Sequence, residues 1–382
     1  MIIEKLSNDG DIRKHLKKIG VDGGGVNILS SKAKIHLIHI KELNVGGANI
    51  LKQDALSVGA DLAVPKGTVL ALTPKVDVIL IATTSQLKKL SKKELLQPFG
   101  LKELALKLKK YLDVKSSKKV EIMGIINAND DSFFGGSRFK DKNAIKQIDK
   151  MCQDGADIID IGAVSSKPNA NIVSLEEELS RIRPILHLIK KHKLYENVKF
   201  SCDSYESEVL REALDSGFSI VNDITGLSDD EVCKVCSEYN ATAIIMHMQG
   251  TPQNMQKNPK YTSVLSDIYQ FLEERIQKAE SFGVRDIVLD VGVGFGKTLD
   301  DNLSLIKNLE HFISLDKRLL VGASRKSMID QIFSSKVEDR LAGSLALHLE
   351  AYRNGAGILR VHDVFEHKQA LEIQKKIDGV EI

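Results

Sequence analysis

Tryptophan is missing from this 382-residue chain, cysteine occurs four times, and aromatic residues make up only 5%. So few rings argue against a surface that stacks successive nucleic-acid bases. Four cysteines are too sparse for a disulfide framework, which points to a reducing, cytoplasmic setting. No apolar run reaches the roughly 18 residues of a membrane span, and the best candidate, Val76 to Thr83, has strand length. The first residues, Met1-Ile-Ile-Glu-Lys5, lack the apolar core of a signal peptide. Low-complexity tracts and matched repeats are also missing. The composition predicts a globular protein that binds neither nucleic acid nor membrane.

A strong net charge is lacking too, at +2, but that value hides a division. Residues 1–119 carry 22 Lys and Arg against 11 Asp and Glu, whereas residues 120–382 carry 32 against 41. Opposite signs predict two units, a small accessory α/β region over 1–119 and a second domain over 120–382. In the first, Lys34 to Ile40 and Val76 to Ile81 read as strands, and Gly23, Gly24 and Gly25 as a turn. Leucines recurring among lysines predict a basic amphipathic helix over 86–110. No chemistry attaches to this region, and its positive charge is expected to dock it on the acidic second domain.

The second domain repeats one unit. β-rich runs fall at Val120–Asn127, Asp157–Gly162, Val198–Asp203, Ser219–Ile224, Ala243–Met248, Asp286–Gly292, Arg318–Ser324 and Gly357–Asp363, with a helical pattern after nearly every one. Eight β-then-α units over about 260 residues predict an α/β fold, a (β/α)8 TIM barrel, with an open doubly wound sheet as the alternative. In such a barrel the active site lies at the carboxyl ends of the strands. Those ends read Asn127, Asp160, Asp203, Asn222-Asp223, His247, Asp290, Ser324-Arg325-Lys326 and Arg360 with His362. Asp203, Asn222 and Asp290 suit a flat heterocycle bearing amino and ring N–H donors. Lys167, Arg325, Lys326, Arg360 and His362 suit phosphate or carboxylate groups, and Asn127 could lend an oxygen to Mg²⁺. His247 is open to either a functional or a structural role.

Several stretches resemble one family in order and in detail: MGIINANDDSFFGG from Met123, GADIIDIGAVSSKP from Gly155, VNDITG from Val221, MHMQGTPQNMQKNPKY from Met246, DVGVGFGKTLDDNL from Asp290, VGASRKS from Val321, RLAGSLAL from Arg340 and RVHDV from Arg360. Residues 120–382 resemble the bacterial dihydropteroate synthases, the sulfonamide-blocked enzymes of folate biosynthesis. The resemblance implies a transferase that condenses 6-hydroxymethyl-7,8-dihydropterin pyrophosphate with p-aminobenzoate, with Mg²⁺, in a cytoplasmic homodimer. It implies a pterin site of Asp203, Asn222, Asp290 and Lys326, lined by Met246, Phe295 and Gly322. Asn127, Arg360 and His362 are implied for pyrophosphate and metal. Phe133, Ser166, Lys167, Pro168, Lys326 and Ser327 are implied for the aminobenzoate, and Lys326, Arg360, His362 and Asp203 for catalysis.

Two loops depart from the family pattern. The first reads Asn127-Ala-Asn-Asp-Asp-Ser-Phe-Phe-Gly-Gly136, with Phe134 and Gly135 where an Asp is usual. The second carries Lys167 in place of Arg, which loses bidentate geometry. These changes leave room for a non-catalytic pterin-binding protein, and a folate-dependent methyltransferase on the same barrel is the other alternative. Gly292-Val-Gly-Phe-Gly-Lys-Thr298 is not a phosphate-binding loop, because Val291 stands where its first glycine belongs. Its glycines are expected to let the backbone approach the pterin. Cys233 and Cys236 form a lone pair on one helix face and read as packed thiols.

Overall fold

The computed structural model describes residues 1–4, 6, 11–113, 119–128, 138–164 and 173–380, without the side chains of 138–143. Two compact units divide it: Met1–Lys115 with Gln374–Ile382, and Ser116–Ile373.

The first unit contains α1 (Ile12–Lys18), α2 (Gly23–Ala33), β1 (Ile35–Asn44), α3 (Val45–Ser57), β2 (Asp61–Ala63), β3 (Lys75–Thr83), α4 (Thr84–Lys93) and α5 (Leu101–Asp113). The sheet has the order β1-β3-β2 and is antiparallel throughout. Along β3, Val76, Val78, Leu80 and Ala82 are buried and the residues between them are not, the period-two signature of a one-sided sheet. Their buried face meets Leu51 of α3, Leu87 and Leu90 of α4, and Leu101 and Leu108 of α5.

Two expectations need correction here. The three glycines do not turn the chain; they open α2, because the Asp22 carboxylate caps it by accepting from the Gly25 N–H at 2.8 Å. The basic helix expected over 86–110 is two helices. Pro98 cannot continue a helical hydrogen-bond ladder, and Gly100 takes a left-handed φ of +83° before α5 starts.

The second unit runs β4 (Glu121–Asn127), α6 (Arg138–Gln153), β5 (Ile158–Gly162), α7 (Leu175–His192), β6 (Lys199–Asp203), α8 (Ser207–Asp215), β7 (Ile220–Asp223), α9 (Asp230–Glu238), β8 (Thr242–Met246), α10 (Val264–Ser281), β9 (Ile287–Asp290), α11 (Leu299–Lys307), β10 (Arg318–Val321), α12 (Ser327–Ile332), α13 (Leu341–Arg353), β11 (Ile358–Val361) and α14 (Val364–Asp378). Strands β4 to β11 close into an eight-stranded barrel in sequence order, every neighbouring pair parallel. This is the (β/α)8 barrel the sequence predicts.

Period-two alternation splits the strand side chains into two cores. Ile122, Ile159, Phe200, Val221, Ala243, Leu289, Leu319 and Leu359 face outward and pack against the helices. Met123, Ile158, Ile220, Ile244, Val288, Leu320 and Ile358 form a separate cluster that fills the barrel. Each fully buried aliphatic of this kind contributes about 1.5–3 kcal/mol. Below that plug, Glu121 is paired with Arg318 at 2.7 Å and with Lys199 at 3.5 Å, closing the amino-terminal end with charge.

Candidate active site

Two residues beyond each plug side chain, the same face of the strand reaches the barrel mouth. Ile158 leads to Asp160, Ile220 to Asn222, Ile244 to Met246, Val288 to Asp290, Leu320 to Gly322 and Ile358 to Arg360. Ser201, paired with Ile220 across β6 and β7, leads in the same way to Asp203. The strand period therefore assembles residues that are up to 200 positions apart in sequence.

Arg360 organises this layer. Its Nε donates to Asp160 Oδ2 at 2.7 Å and its Nη2 to Asp203 Oδ2 at 2.6 Å. Asn222 Nδ2 donates to the same Asp160 oxygen at 3.1 Å. Two carboxylates hold the guanidinium fully charged, raising its pKa against the cost of burial. Burial pushes the Asp203 carboxyl up to about 7, against the Arg360 charge and with help from Asp160 and Glu178. The pyrophosphate cation and the pterin carboxylate implied by the resemblance are thus each other's partners here, and Asp160, a strand end with no role assigned from sequence, is the third member.

Asp290 accepts from the Gly292 N–H at 2.7 Å, and its carboxyl is raised by burial against the opposing Lys326 charge. Burial pulls Lys326 down to about 8. Its ammonium donates to the Val293 carbonyl and lies 4.3 Å from the centre of the Phe295 ring. Met246 is buried in the same layer, and Gly322 keeps the floor open beside Arg360, whose Cβ is 3.7 Å from where a Gly322 Cβ would sit. His362, at the rim, is engaged by Ser324: Oγ lies 3.0 Å from Nδ1 and accepts from the His362 N–H at 3.2 Å. Asn127 ends β4 with its side chain exposed, and Ser327 is the exposed first residue of α12. Phe133, Ser166, Lys167 and Pro168 lie outside the described residues.

Other expectations change. Arg325 is no free anion binder: Nε and Nη2 grip Asp363 at 2.9 and 2.6 Å, tying the loop after β10 to the one after β11. His247 is structural. It is buried against Phe271, 3.0 Å from Lys297 Nζ, and burial keeps its imidazole neutral, with a pKa lowered to about 3. Asp223 is buried and holds the following turn through the Thr225 and Leu227 N–H groups. Cys233 and Cys236 are buried thiols, as expected.

The glycines after β9 serve the chain itself. A Cβ on Gly292 would fall 1.8 Å from the His247 carbonyl oxygen, and one on Gly296 would fall 2.6 Å from that of Gln249. Both have left-handed φ, at +68° and +63°. These two let the loop lie on the loop after β8, while a Cβ on Gly294, between them, would fall 2.9 Å from Lys326 Cδ, so that glycine keeps the backbone close to the Lys326 side chain. Gly292→Ala is accordingly expected to cost roughly 2–4 kcal/mol in denaturant unfolding, a strain-and-clash loss. Gly322→Ala, with ordinary φ and an open neighbourhood, should stay within about 0.5 kcal/mol while weakening substrate binding.

The sequence profile of the family described as pterin binding enzyme matches residues 123–362. A bifunctional dihydropteroate synthase/dihydropteroate reductase of Helicobacter pylori is 41% identical over 99% of both chains. A Haemophilus influenzae dihydropteroate synthase is 38% identical over 66% of this chain and 92% of its own. The chain belongs to the dihydropteroate synthases of the pterin-binding enzyme family. The solved structure of a Yersinia pestis dihydropteroate synthase with a sulfonamide drug complex covers 69% of this chain and 95% of its own, at 34% identity and a TM-score of 0.64. Solved dihydropteroate synthases thus span the barrel's share of the chain, and the H. pylori relative extends across the amino-terminal unit as well.

Proposed function

We infer that the barrel joins 6-hydroxymethyl-7,8-dihydropterin pyrophosphate to p-aminobenzoate, releasing 7,8-dihydropteroate and pyrophosphate. One observation carries this reading: acceptors Asp203, Asn222 and Asp290 and the cation Arg360 rise in one layer from the floor of the barrel mouth, and the charge of Lys326, on the loop after β10, bears on Asp290. A dihydropterin edge offers N–H donors to the acceptors, and a pyrophosphate offers oxygens to the cations.

Arg360 and His362 then stabilise charge as the exocyclic C–O bond breaks and its electron pair leaves with pyrophosphate. Asp203 and Asp290 favour the cationic pterin fragment that remains. The aniline nitrogen lone pair forms the new C–N bond, and the resulting arylammonium, a strong acid, gives its proton to water. The protein positions and stabilises; no enzyme nucleophile is required.

Magnesium fits as an ion carried by the substrate. Among the described residues no cluster of three or more His, Cys, Asp or Glu side chains could hold a metal. The Asn127 amide offers a single oxygen, the donor set of an ion that keeps its waters and phosphate ligands. When bound, Mg²⁺ offsets charge on the leaving pyrophosphate.

The four described thiols are free, which supports a reducing, cytoplasmic location. Exposed Ile332, Phe333 and Val337, close together in sequence, support a homodimer through that edge of the barrel. The end-to-end match to a bifunctional relative also supports a second step in this chain, reduction of its own product. It would consume 7,8-dihydropteroate and a two-electron donor; full-length protein that leaves dihydropteroate unchanged with both nicotinamide and reduced-flavin donors would exclude it.

Inhibition tests the condensation. A sulfonamide, an aminobenzoate mimic, should raise KM for p-aminobenzoate and leave kcat unchanged. A pattern noncompetitive with p-aminobenzoate would contradict the site assignment.

A further inference from the structure

One face of α13 reads the backbone of the loop that carries Lys326. Arg340, immediately before the helix, Ser344 and His348 are spaced by four and so share a face. Arg340 Nη1 donates to the Arg325 carbonyl at 3.2 Å, Ser344 Oγ accepts from the Arg325 N–H at 2.8 Å, and His348 Nε2 accepts from the Ala323 N–H at 2.9 Å. Arg325 needs such support, because its φ of +56° is left-handed in a residue other than glycine.

The contacts continue through a second imidazole. His348 Nδ1 lies 2.8 Å from His367 Nε2, and His367 Nδ1 lies 2.6 Å from the Asp363 carbonyl oxygen. Both rings are buried, His348 at 1% exposure and His367 at 2%. One proton arrangement satisfies all three contacts. His348 Nε2 is an acceptor, so Nδ1 bears hydrogen and donates to His367 Nε2; His367 Nδ1–H then donates to Asp363. The chain therefore runs from Ala323, three residues before Lys326, to Asp363, the neighbour of His362.

We propose that Ser344, His348 and His367 are positioning residues for the condensation: the neutral imidazole chain fixes the loop bearing Lys326 in register with the loop bearing His362. His348 and Ser344 hold the backbone of the loop that carries Lys326, so each acts on binding through Lys326. Charge on either ring would set two N–H donors against each other or remove the acceptor for Ala323. The charged and titratable groups that bear on the pair are Lys326 and His362 on His348, and Asp363 and Glu366 on His367. Burial lowers both imidazole pKa values and keeps the chain neutral.

The inference rests on the pterin-site reading, and calorimetric titration of the full chain with the pterin pyrophosphate separates the two. Wild-type protein that binds no pterin pyrophosphate overturns that reading. His348→Leu is expected to weaken binding about tenfold in the wild-type background and less than about twofold in a Lys326→Ala background, since coupled residues are not additive. His348→Gln, whose amide can accept from Ala323 and donate to His367, should recover to within about threefold of wild type. Equal losses in both backgrounds, or a Gln variant no better than Leu, would overturn the proposal. If the Leu variant does not fold, Ser344→Ala decides in the same two backgrounds, with the same expectations.

Discussion

Arg360→Met is expected to lower kcat/KM for the pterin pyrophosphate by about a thousandfold, the scale of losing a charge aimed at a leaving phosphate. Unlike a surface anion binder, it should also cost stability. Arg360 bridges Asp160 and Asp203, and Asp160 Oδ1 is buried without a hydrogen-bond partner among the described residues. Removing the bridge strands two buried carboxylates, a loss of about 3–5 kcal/mol in denaturant unfolding.

The pH dependence of that loss has a definite sign. The folded pKa of Asp203 is raised to about 7 from a usual 3.8, so its contribution is fully present below pH 3.8 and lost as pH rises through 7. Without the opposing Arg360 charge the folded value climbs further, and the loss continues above pH 7. The gap between variant and wild-type melting temperatures should therefore widen from pH 6 to pH 8. A constant gap would remove Asp203 from the pair.

Lys326→Met should lower kcat/KM about a hundredfold, as expected for one charge-stabilising group. Burial lowers Lys326 to about 8, so the wild-type enzyme should show an alkaline limb in kcat/KM near that pH, where the ammonium loses its proton. Lys326→Arg, permanently charged, should move that limb beyond the measurable range. Lys326→Met should also melt higher than wild type near neutral pH, because a depressed lysine pKa means the folded state disfavours the charge. A variant less stable than wild type would place Lys326 in a structural ion pair instead.

The barrel was legible because its strand runs are short, rich in β-branched residues and regularly spaced, and because each ends in a polar group. Which side chains share a layer was not. Asp160, Asp203 and Arg360 meet only when the parallel register stacks Ile158, Ser201 and Ile358 around one plug. Arg325 and Arg360 look equally cationic in sequence, yet one is a loop tie to Asp363 and the other the centre of the mouth. The packing role of Gly292 and Gly296 was hidden because their tight neighbours, the His247 and Gln249 carbonyls, belong to a loop more than 40 residues upstream. In the amino-terminal unit the missed signals were local: Asp22 placed to cap three glycines, and Pro98 followed by Gly100 inside an otherwise helical leucine pattern. The Arg340, Ser344 and His348 spacing was visible, but nothing in sequence says that a loop backbone lies against it.

Pyrophosphate release by the full-length protein tests the central claim most directly. The proposed condensation predicts release from 6-hydroxymethyl-7,8-dihydropterin pyrophosphate that requires Mg²⁺ and p-aminobenzoate, with one 7,8-dihydropteroate formed per pyrophosphate. Folded protein that binds the pterin yet releases no pyrophosphate when aminobenzoate is added would contradict it.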